Sequence, residues 1–247
     1  MNNRQLSILE KISNTDNINV KQIAEEFGVS QVTVRNDLKT LEEGGMLQRY
    51  HGGAKAVSGD DILKRMPANY DVKLQIAQEA AKHISDGETV MIESGSTNAL
   101  LAKELTKKKD ITIITNSAFI ARYIRSDSGI KITLIGGDYQ HESEVMVGPL
   151  ARLCISQFNV DKLFVGVDGF SETSGFTCIN MMRAEAAQVM AERANKIYIL
   201  TDSSKFTNVG VATLFMADEV DVVITDENVP QKSVEYLKKH DVDLYIV

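Results

Sequence analysis

The 247-residue sequence predicts an α/β protein with two folded units, a small helical unit ending in a two-stranded wing at residues 1–57 and a doubly wound α/β unit at 70–247. Three helical patterns, the second and third with N-caps, precede residue 44. Beyond residue 87, short apolar runs alternate with helical stretches, which is typical of a parallel sheet covered on both faces. Residues 58–69 are polar with glycine and proline, so they are predicted to be a linker.

Composition excludes several classes of protein. The chain is 43% hydrophobic and 25% charged, as in soluble globular proteins, and no apolar run approaches the roughly 20 residues of a membrane span. We therefore expect a cytoplasmic protein. Cys154 and Cys178 fit neither a disulfide framework nor a metal-ligand spacing, and the four histidines are scattered, so no metal site and no cofactor are expected.

The first unit begins with three predicted helices. The first has an apolar stripe at helical spacing, formed by Leu6, Ile8, Leu9 and Ile12. Asn19 and Gln22 have the spacing of a capping box at the start of the second helix. Gly28 then provides a tight turn, and Ser30 is the expected N-cap of a third helix that runs to about Glu43 and stops at the double glycine that follows.

The third helix has the pattern of a DNA recognition helix. Val34, Leu38 and Leu41 share the face that packs inward, which leaves a polar helix start on the other sides. After the glycines, "MLQRYHGGAK" predicts two strands around a Gly-Gly turn, and so a winged helix-turn-helix. The alternative is a plain three-helix bundle with basic residues on its surface. The predicted DNA-binding residues are Ser30, Gln31, Thr33, Arg35, Asn36, Lys39, Arg49, His51 and Lys55.

Charge limits how such a unit binds DNA. Residues 1–57 hold seven Lys/Arg and seven Asp/Glu, so the net charge of −7 lies entirely beyond Val57. Affinity for DNA follows the number of phosphates contacted rather than net charge. One small basic face makes few contacts, and we therefore expect a homo-oligomer, a dimer or a tetramer, that places two copies on a repeated half-site of double-stranded DNA.

The second unit is predicted from its alternating pattern. The apolar runs are "TVMI", "ITII", "IKITLIG", "KLFVGV", "KIYILT", "VDVVIT" and "VDLYIV". A first helix is predicted from Tyr70 to Asp86, and later helices at 97–106, 117–126, 181–194 and 230–240. In such sheets ligands bind at the carboxyl ends of the strands, so the residues that follow each strand are the informative ones.

Those residues predict a site for a phosphorylated sugar or polyol. Small residues with free N–H groups and hydroxyls follow "TVMI" at a helix start, which suits a phosphate. A lysine follows "KIYILT", and carboxylates or amides able to hold hydroxyls follow other strands. Taken singly, each of these is a turn or cap residue. The predicted effector-binding residues are Ser94, Gly95, Ser96, Thr97, Asn98, Asn116, Gly136, Gly137, Asp168 and Lys205.

A family resemblance covers nearly the whole chain. "VSQVTVRNDLKTLEEGGMLQRYHGGA" resembles the N-terminal signature of DeoR-type bacterial transcription regulators. "ESGST", "ITNS", "LIGGD", "VDGF" and "TDSSKF" stand in the order of the DeoR effector domain, a sensor domain resembling ribose-5-phosphate isomerase and the coenzyme A transferases. The resemblance implies a repressor of a carbohydrate-utilisation operon that a sugar phosphate releases. Asn36 stands where the family has a second arginine, and Asn98 where a second threonine is common.

Two other functions remain as alternatives. A sugar-phosphate isomerase with an appended DNA-binding domain needs a base and a partner for the oxygen. The isomerase motif Asp-Gly-Ala-Asp-Glu is replaced here by residues 168–172, "DGFSE", and the only downstream basic residue is Arg183, so we predict no catalytic residues. A coenzyme A binder would favour a basic groove, which an acidic unit does not offer. The sequence leaves pentose, hexose, amino-sugar and polyol phosphates open.

Overall fold

A computed structural model describes residues 2–13, 18–43, 47–50, 53–55, 62–126 and 129–247. The chain divides into two compact units, residues 1–70 and 71–247. The helices of the first unit are α1 (Asn3–Ser13), α2 (Val20–Glu26), α3 (Gln31–Glu43) and α4 (Ile62–Arg65). Its strands are β1 (Ile18–Asn19), β2 (Gln48–Tyr50) and β3 (Gly53–Lys55).

Local signals in the sequence fix the start of α2 and of α3. Asn19 and Gln22 form the predicted capping box. Gly28 has a φ of 61°, the left-handed conformation that glycine adopts without strain. The Ser30 hydroxyl accepts a hydrogen bond from the Thr33 N–H at 3.1 Å, as an N-cap does. The predicted stop of α3 at residues 44–45 lies outside the described residues.

The wing consists of β2 and β3, which pair antiparallel. The unpredicted strand β1 joins β3 on its other side, with Ile18 opposite Ala54 and Asn19 opposite Gly53. A strand of two residues is too short to show an alternating pattern, which is why the sequence did not reveal it. His51, one of the predicted DNA-binding residues, lies outside the described residues.

The rest of the chain forms an α/β unit. Its helices are α5 (Tyr70–Lys82), α6 (Ser96–Leu105), α7 (Ala118–Tyr123), α8 (Gly148–Ile155), α9 (Met181–Ala191) and α10 (Gln231–Lys239), with 3₁₀ turns at Ser203–Thr207 and Ala217–Glu219. Its strands are β4 (Thr89–Ile92), β5 (Ile111–Thr115), β6 (Ile130–Leu134), β7 (Asp138–Gln140), β8 (Val145–Val147), β9 (Val160–Gly166), β10 (Gly169–Ser171), β11 (Gly175–Cys178), β12 (Ala194–Leu200), β13 (Ala212–Phe215), β14 (Val222–Thr225) and β15 (Asp243–Ile246).

The main sheet has seven parallel strands in the order β15-β14-β12-β9-β4-β5-β6. The chain fills one side of β4 with β5 and β6 and then returns to the other side with β9. The strand order therefore reverses between β4 and β9, where open α/β sheets bind ligands. Every residue of β14 is buried, as expected for a strand covered on both faces. The predicted doubly wound α/β fold is confirmed.

Two small antiparallel sheets were not predicted, β7 with β8 and β10-β11-β13. Their strands have three or four residues, too few for a clear alternation, and helix α8 was missed in the same region. Both small sheets follow strands of the main sheet on its carboxyl side. Among the described residues, the structure contains no helix with the length and apolarity needed to span a bilayer.

Candidate functional site

The exposed side of α3 carries the residues predicted to contact DNA. Gln31, Arg35, Asn36 and Lys39 are exposed, while Val34, Leu38 and Leu41 are buried on the opposite side. Arg35 donates a hydrogen bond from Nη2 to Gln31 Oε1 at 3.3 Å. Gln31, Arg35 and Lys39 follow one another at intervals of four residues, and Asn36 lies three residues before Lys39. These four positions therefore form one surface along the helix.

The acidic residue in the middle of α3 points away from that surface. Asp37 is 5% exposed and accepts hydrogen bonds from Arg4 Nε at 2.6 Å and Gln5 Nε2 at 3.1 Å, both on α1. The hydrogen bond to Asp37 raises the pKa of Arg4 above its ordinary value. The Asp37 charge is therefore neutralised inside the unit. The exposed side of α3 therefore presents Arg35 and Lys39 without the negative charge of Asp37, although the unit as a whole has no net charge.

The other predicted DNA-binding residues divide into two groups. The hydroxyls of Ser30 and Thr33 lie 2.9 Å apart and belong to the N-cap of α3. Arg49 lies on β2 and Lys55 on β3, so the backbone of the wing carries both.

In the second unit, the start of α6 follows β4 at the point where the strand order reverses. Gly95 precedes the helix with a φ of 152°, and no side chain caps the helix. Ser96 and Thr97 are buried, and within the described residues their hydroxyls have no hydrogen-bond partner. The first N–H groups of a helix lack intrahelical acceptors and carry the positive end of the helix dipole. An anion fits this geometry and charge.

Asn98 occupies the same turn but is fully buried. Its amide nitrogen donates to the carbonyl oxygens of Glu93 at 2.8 Å and Phe164 at 3.3 Å, which ties α6 to β9. The Asn98 Oδ1 atom is buried and has no hydrogen-bond partner within the described residues. Asn116, after β5, has a similar arrangement, since Nδ2 lies 3.5 Å from the Met146 carbonyl and Oδ1 has no partner. Such acceptors are costly to bury without a donor.

Arg183 was not among the predicted site residues, but the structure places it beside the candidate site. It is 3% exposed, and its guanidinium lies 3.9 Å from Glu93 Oε1 and 4.0 Å from Asp168 Oδ2. These two carboxylates follow β4 and β9, so Arg183 bridges the reversal point. The helical pattern of 181–194 offered the signal, because it places Arg183 beside Ala184 and Ala187 on the apolar face, where an arginine is rarely unpaired.

Hydrogen bonds hold the neighbours of Arg183. Asp168 accepts from the Ile179 N–H at 3.1 Å, and the Asn180 side chain caps α9 by accepting from the N–H groups of Met182 and Arg183 at 3.1 Å each. Burial raises the pKa of the Cys178 thiol to about 12, although the Arg183 cation opposes this shift. The thiol therefore stays protonated at neutral pH and does not act as a nucleophile.

Lys205 lies in the 3₁₀ turn at Ser203–Thr207, which a carboxylate and an aromatic residue anchor. Asp226, after β14, accepts hydrogen bonds from Ser203 N–H at 2.6 Å and Ser203 Oγ at 2.8 Å. Burial opposes ionisation of Asp226, but these bonds and those from Asn228 outweigh it and lower the Asp226 pKa. Phe206 packs against Phe170, with ring centroids 5.3 Å apart. The Lys205 ammonium has no partner within the described part of the chain.

Gly136 and Gly137 follow β6 at the same edge of the sheet. A side chain at Gly137, whose φ is 154°, would place its Cβ 2.7 Å from the Val147 carbonyl oxygen and 2.9 Å from Ala151 Cβ. Gly137 is therefore needed for close packing against the start of α8. Gly136 is exposed and faces no such restriction.

The structure brings these strand ends to one edge in spatial order. Because all seven strands are parallel, the residues after β14, β12, β9, β4, β5 and β6 meet there, in that order. The Phe170 N–H donates to the Asn208 carbonyl at 2.9 Å, which joins the segment after Asp168 to the turn of Lys205. Glu172, the last residue of the segment "DGFSE" that stands where the isomerases have a second Asp and a Glu, lies 3.0 Å from Lys232 Nζ.

Comparisons with known proteins cover both units. Residues 4–59 match a model described as DeoR-like helix-turn-helix domain, and residues 68–227 match one described as DeoR C terminal sensor domain. Relatives include the transcriptional repressor AccR of Agrobacterium fabrum, 32% identical over 93% of both chains, and the regulator GolR of Listeria innocua, 30% identical over 92% of this chain and 91% of the relative.

A third relative is a putative aga operon transcriptional repressor of Escherichia coli O157:H7, 28% identical over 99% of this chain and 93% of the relative. Among solved structures, ribose 5-phosphate isomerase A of Methanocaldococcus jannaschii matches with a TM-score of 0.42 and 23% identity, over 56% of this chain and 55% of the isomerase.

Proposed function

Because this chain belongs to the DeoR family of transcriptional regulators, we propose that it represses a carbohydrate-utilisation operon and leaves its operator when it binds a phosphorylated sugar or polyol. The names of its relatives support this proposal, since they include an aga operon repressor and regulators named FruR and UlaR. The two functions, DNA binding and effector binding, lie on separate surfaces. One unit binds DNA, and the other binds the effector.

The exposed side of α3 supports the first part of the proposal. Arg35 and Asn36 are side chains that pair with guanine and adenine edges in the major groove, and each good contact is worth about 1–3 kcal/mol. Lys39 and the wing residues Arg49 and Lys55 then contact phosphates, as does His51. The cap residues Ser30 and Thr33 set the position of the helix rather than reading bases.

The first turn of α6 carries the second part. Its N–H groups and the hydroxyls of Ser96 and Thr97 are the donors that a phosphate dianion needs, and they stand at the reversal point of the sheet. Lys205 follows β12, two strands from β4 at the same edge, and supplies a positive charge. Ser94, Gly95, Gly136 and Gly137 shape this edge. We assign the phosphate to this turn.

The unsatisfied acceptors favour a polyhydroxylated ligand. Asn98, in the first turn of α6, and Asn116, directly after β5, each bury an Oδ1 atom that lacks a donor within the described residues. Hydroxyl groups donate to such oxygens, whereas a second phosphate does not. Asp168 provides a further acceptor. A sugar or polyol phosphate therefore matches the site better than a simple anion.

Repression and release follow from linkage between two equilibria. A homo-oligomer presents two winged helices to repeated half-sites, and the effector favours an arrangement that no longer fits the operator. The coupling is reciprocal, so the effector loses as much affinity for the DNA-bound protein as DNA loses for the effector-bound protein. No catalytic step is assigned, because Glu172 pairs with Lys232 and Asp168 already accepts a hydrogen bond and lies 4.0 Å from Arg183.

Two measurements on the full chain test the proposal. Fluorescence anisotropy with DNA from upstream of its own gene should show tighter binding than with unrelated DNA of the same length. When pentose, hexose, amino-sugar and polyol phosphates are added in turn, one class should release that DNA. NMR should show that this sugar phosphate is not converted to a product. Equal affinity for both DNAs, or formation of a product, would overturn the assignment.

A further inference from the structure

One apolar side chain of the DNA-binding unit is turned towards the solvent. Val32, the second residue of α3, is 62% exposed, and it is the only exposed large apolar residue in the described part of residues 1–70. A single exposed valine is common on protein surfaces and needs no explanation by itself. The position of Val32 on α3 is what gives it significance.

Val32 lies at the centre of the exposed side of α3. Successive residues of an α-helix are rotated by about 100°, so Val32, Asn36 and Lys39 point within about 60° of one another. The buried side chains of α3 lie on the opposite side of the helix, and they are Val34, Asp37, Leu38 and Leu41. A recognition helix presents its exposed side, and above all its N-terminal residues, to base edges in the major groove. This position predicts that Val32 faces base edges rather than phosphates.

Asn36 is the neighbour of Val32 on this side. The two residues are four apart, which places their Cβ atoms about 6 Å from each other on a helix. Two base-pair steps of a DNA duplex span about 7 Å along its axis, so the two side chains reach the same base pair or adjoining pairs. Asn36 is exposed, and within the described residues its side-chain amide has no hydrogen-bond partner. The amide is therefore available to a base.

The chemistry of the two side chains selects adenine and thymine. An asparagine amide fits adenine, because its NH₂ group donates to N7 while its oxygen accepts from the N6 amino group. Thymine is distinguished in the major groove by an apolar group, the methyl group on C5. Valine has two methyl groups and no polar side-chain atom, so it gains by contact with that methyl group and offers nothing to the donors and acceptors of other bases. Val32 therefore favours thymine at the position that it faces.

We propose that Val32 determines operator specificity by contacting the C5-methyl group of a thymine, in the base pair that Asn36 reads or in an adjoining pair. The inference rests on the proposed binding of DNA by α3, and it adds a contact residue and the chemical group that this residue recognises. The neighbouring hydroxyls do not compete for this role, because those of Ser30 and Thr33 lie 2.9 Å apart and belong to the N-cap. Val32 is thus the first side chain of α3 that is directed to the bases.

Changes of single groups in the DNA test the contact. Selection from random duplexes by the full chain first identifies its preferred sequence. Replacing a thymine by uracil then removes only the methyl group, and replacing an adenine by 7-deazaadenine removes only the N7 acceptor. We expect one such uracil to weaken binding by the parent chain about fourfold, as for the loss of one buried methyl group. A 7-deazaadenine within one base pair of it should weaken binding at least about fivefold.

Variants of the protein assign each effect to a side chain. Val32→Ser removes both methyl groups and should bind the thymine and uracil duplexes equally, whereas Asn36→Ala should lose only its sensitivity to 7-deazaadenine. Val211→Ser is the matched control, because Val211 is an exposed valine of the second unit, at 81%, and this variant should keep the fourfold loss with uracil. Because the methyl contact releases no counterions, the ratio between the two duplexes should not change with salt concentration.

Each outcome decides the inference. Uracil sensitivity that disappears in Val32→Ser and persists in Asn36→Ala and Val211→Ser supports it. A Val32→Ser variant that keeps the loss of the parent chain overturns it, as does a parent chain that responds to no uracil within one base pair of the critical adenine. Circular dichroism and thermal melting check folding, and Val32→Ala replaces a Val32→Ser variant that melts early. A chain that enriches no DNA sequence would refute the proposed regulator as well, whereas a chain that selects DNA without this contact refutes only the inference about Val32.

Discussion

The guanidinium of Arg183 lies 3.9 Å from the carboxylate of Glu93, although helix α9 and the loop after β4 are far apart in the sequence. Asp168 lies 4.0 Å from the same guanidinium. One buried cation thus stands between two carboxylates where the sheet reverses its strand order. The carboxylate partners offset part of the cost of removing this cation from water, and removing one member of the group would leave a buried charge uncompensated.

We predict that Arg183→Met destabilises the protein by about 3–5 kcal/mol, because it leaves the buried carboxylate of Glu93 without its counter-ion. Urea unfolding followed by circular dichroism measures the change. Arg152→Met is the control, since the Arg152–Glu185 pair is about half exposed and removal should cost at most about 1 kcal/mol. Equal losses in the two variants would show that Arg183 is not an essential counter-ion.

Arg35→Ala is expected to weaken binding to upstream DNA by about 1–3 kcal/mol, because it removes a contact of the recognition helix. The side chain is exposed, so the melting temperature should not change. Fluorescence anisotropy gives the affinity. Lys82→Ala removes the same charge from an exposed position of the second unit and should leave DNA affinity unchanged. A larger effect from Lys82 would place the DNA surface elsewhere.

Lys205→Ala should abolish the release of DNA by sugar phosphates while leaving DNA binding intact, because the ammonium is assigned to the phosphate. The measurement is anisotropy titrated with the active sugar phosphate. Lys232→Ala, which removes a cation paired with Glu172 at an exposed position, is the matched control and should respond normally. If Lys205→Ala instead lost DNA binding while folded, the division between the two units would be wrong.

Asp226→Asn should destabilise the protein in a pH-dependent manner. The folded-state pKa of Asp226 is lowered, so the ionised carboxylate contributes stability above its unfolded pKa, near 3.8, and this contribution is lost as the pH falls through the folded pKa. The difference in unfolding free energy between the two proteins should therefore be largest near pH 6 and shrink in acid. Urea titrations from pH 3 to 7 measure it, and a difference that grows towards pH 3 would contradict the argument.

Much of this fold follows from sequence patterns that act locally. The Asn19 capping box, the Gly28 turn and the Ser30 cap each depend on neighbours within four residues. The parallel strands can be recognised in the sequence as apolar runs. The parallel class by itself predicts that the loops after the strands lie at one edge of the sheet, without fixing the order of the strands. These were the predictable features.

What the sequence did not reveal depends on contacts between distant segments. Arg183 gains its partners only when α9 packs across the reversal point of the sheet. The Asn98 amide donates to the carbonyl of Phe164 on β9, which lies 66 residues further along the chain. The short strands of the antiparallel sheets are stabilised by pairing rather than by their own propensity. No local pattern encodes such pairings.

Strand β1 has a consequence for how the DNA-binding unit responds to DNA. Asn19 caps α2 and at the same time pairs with Gly53 of the wing, so a single residue fastens the hairpin to the helices. The wing and the helices are therefore joined through Asn19 into one structural body. Substitutions of the exposed side chains of α3 can therefore change operator preference during evolution without altering how the wing is attached to the helices.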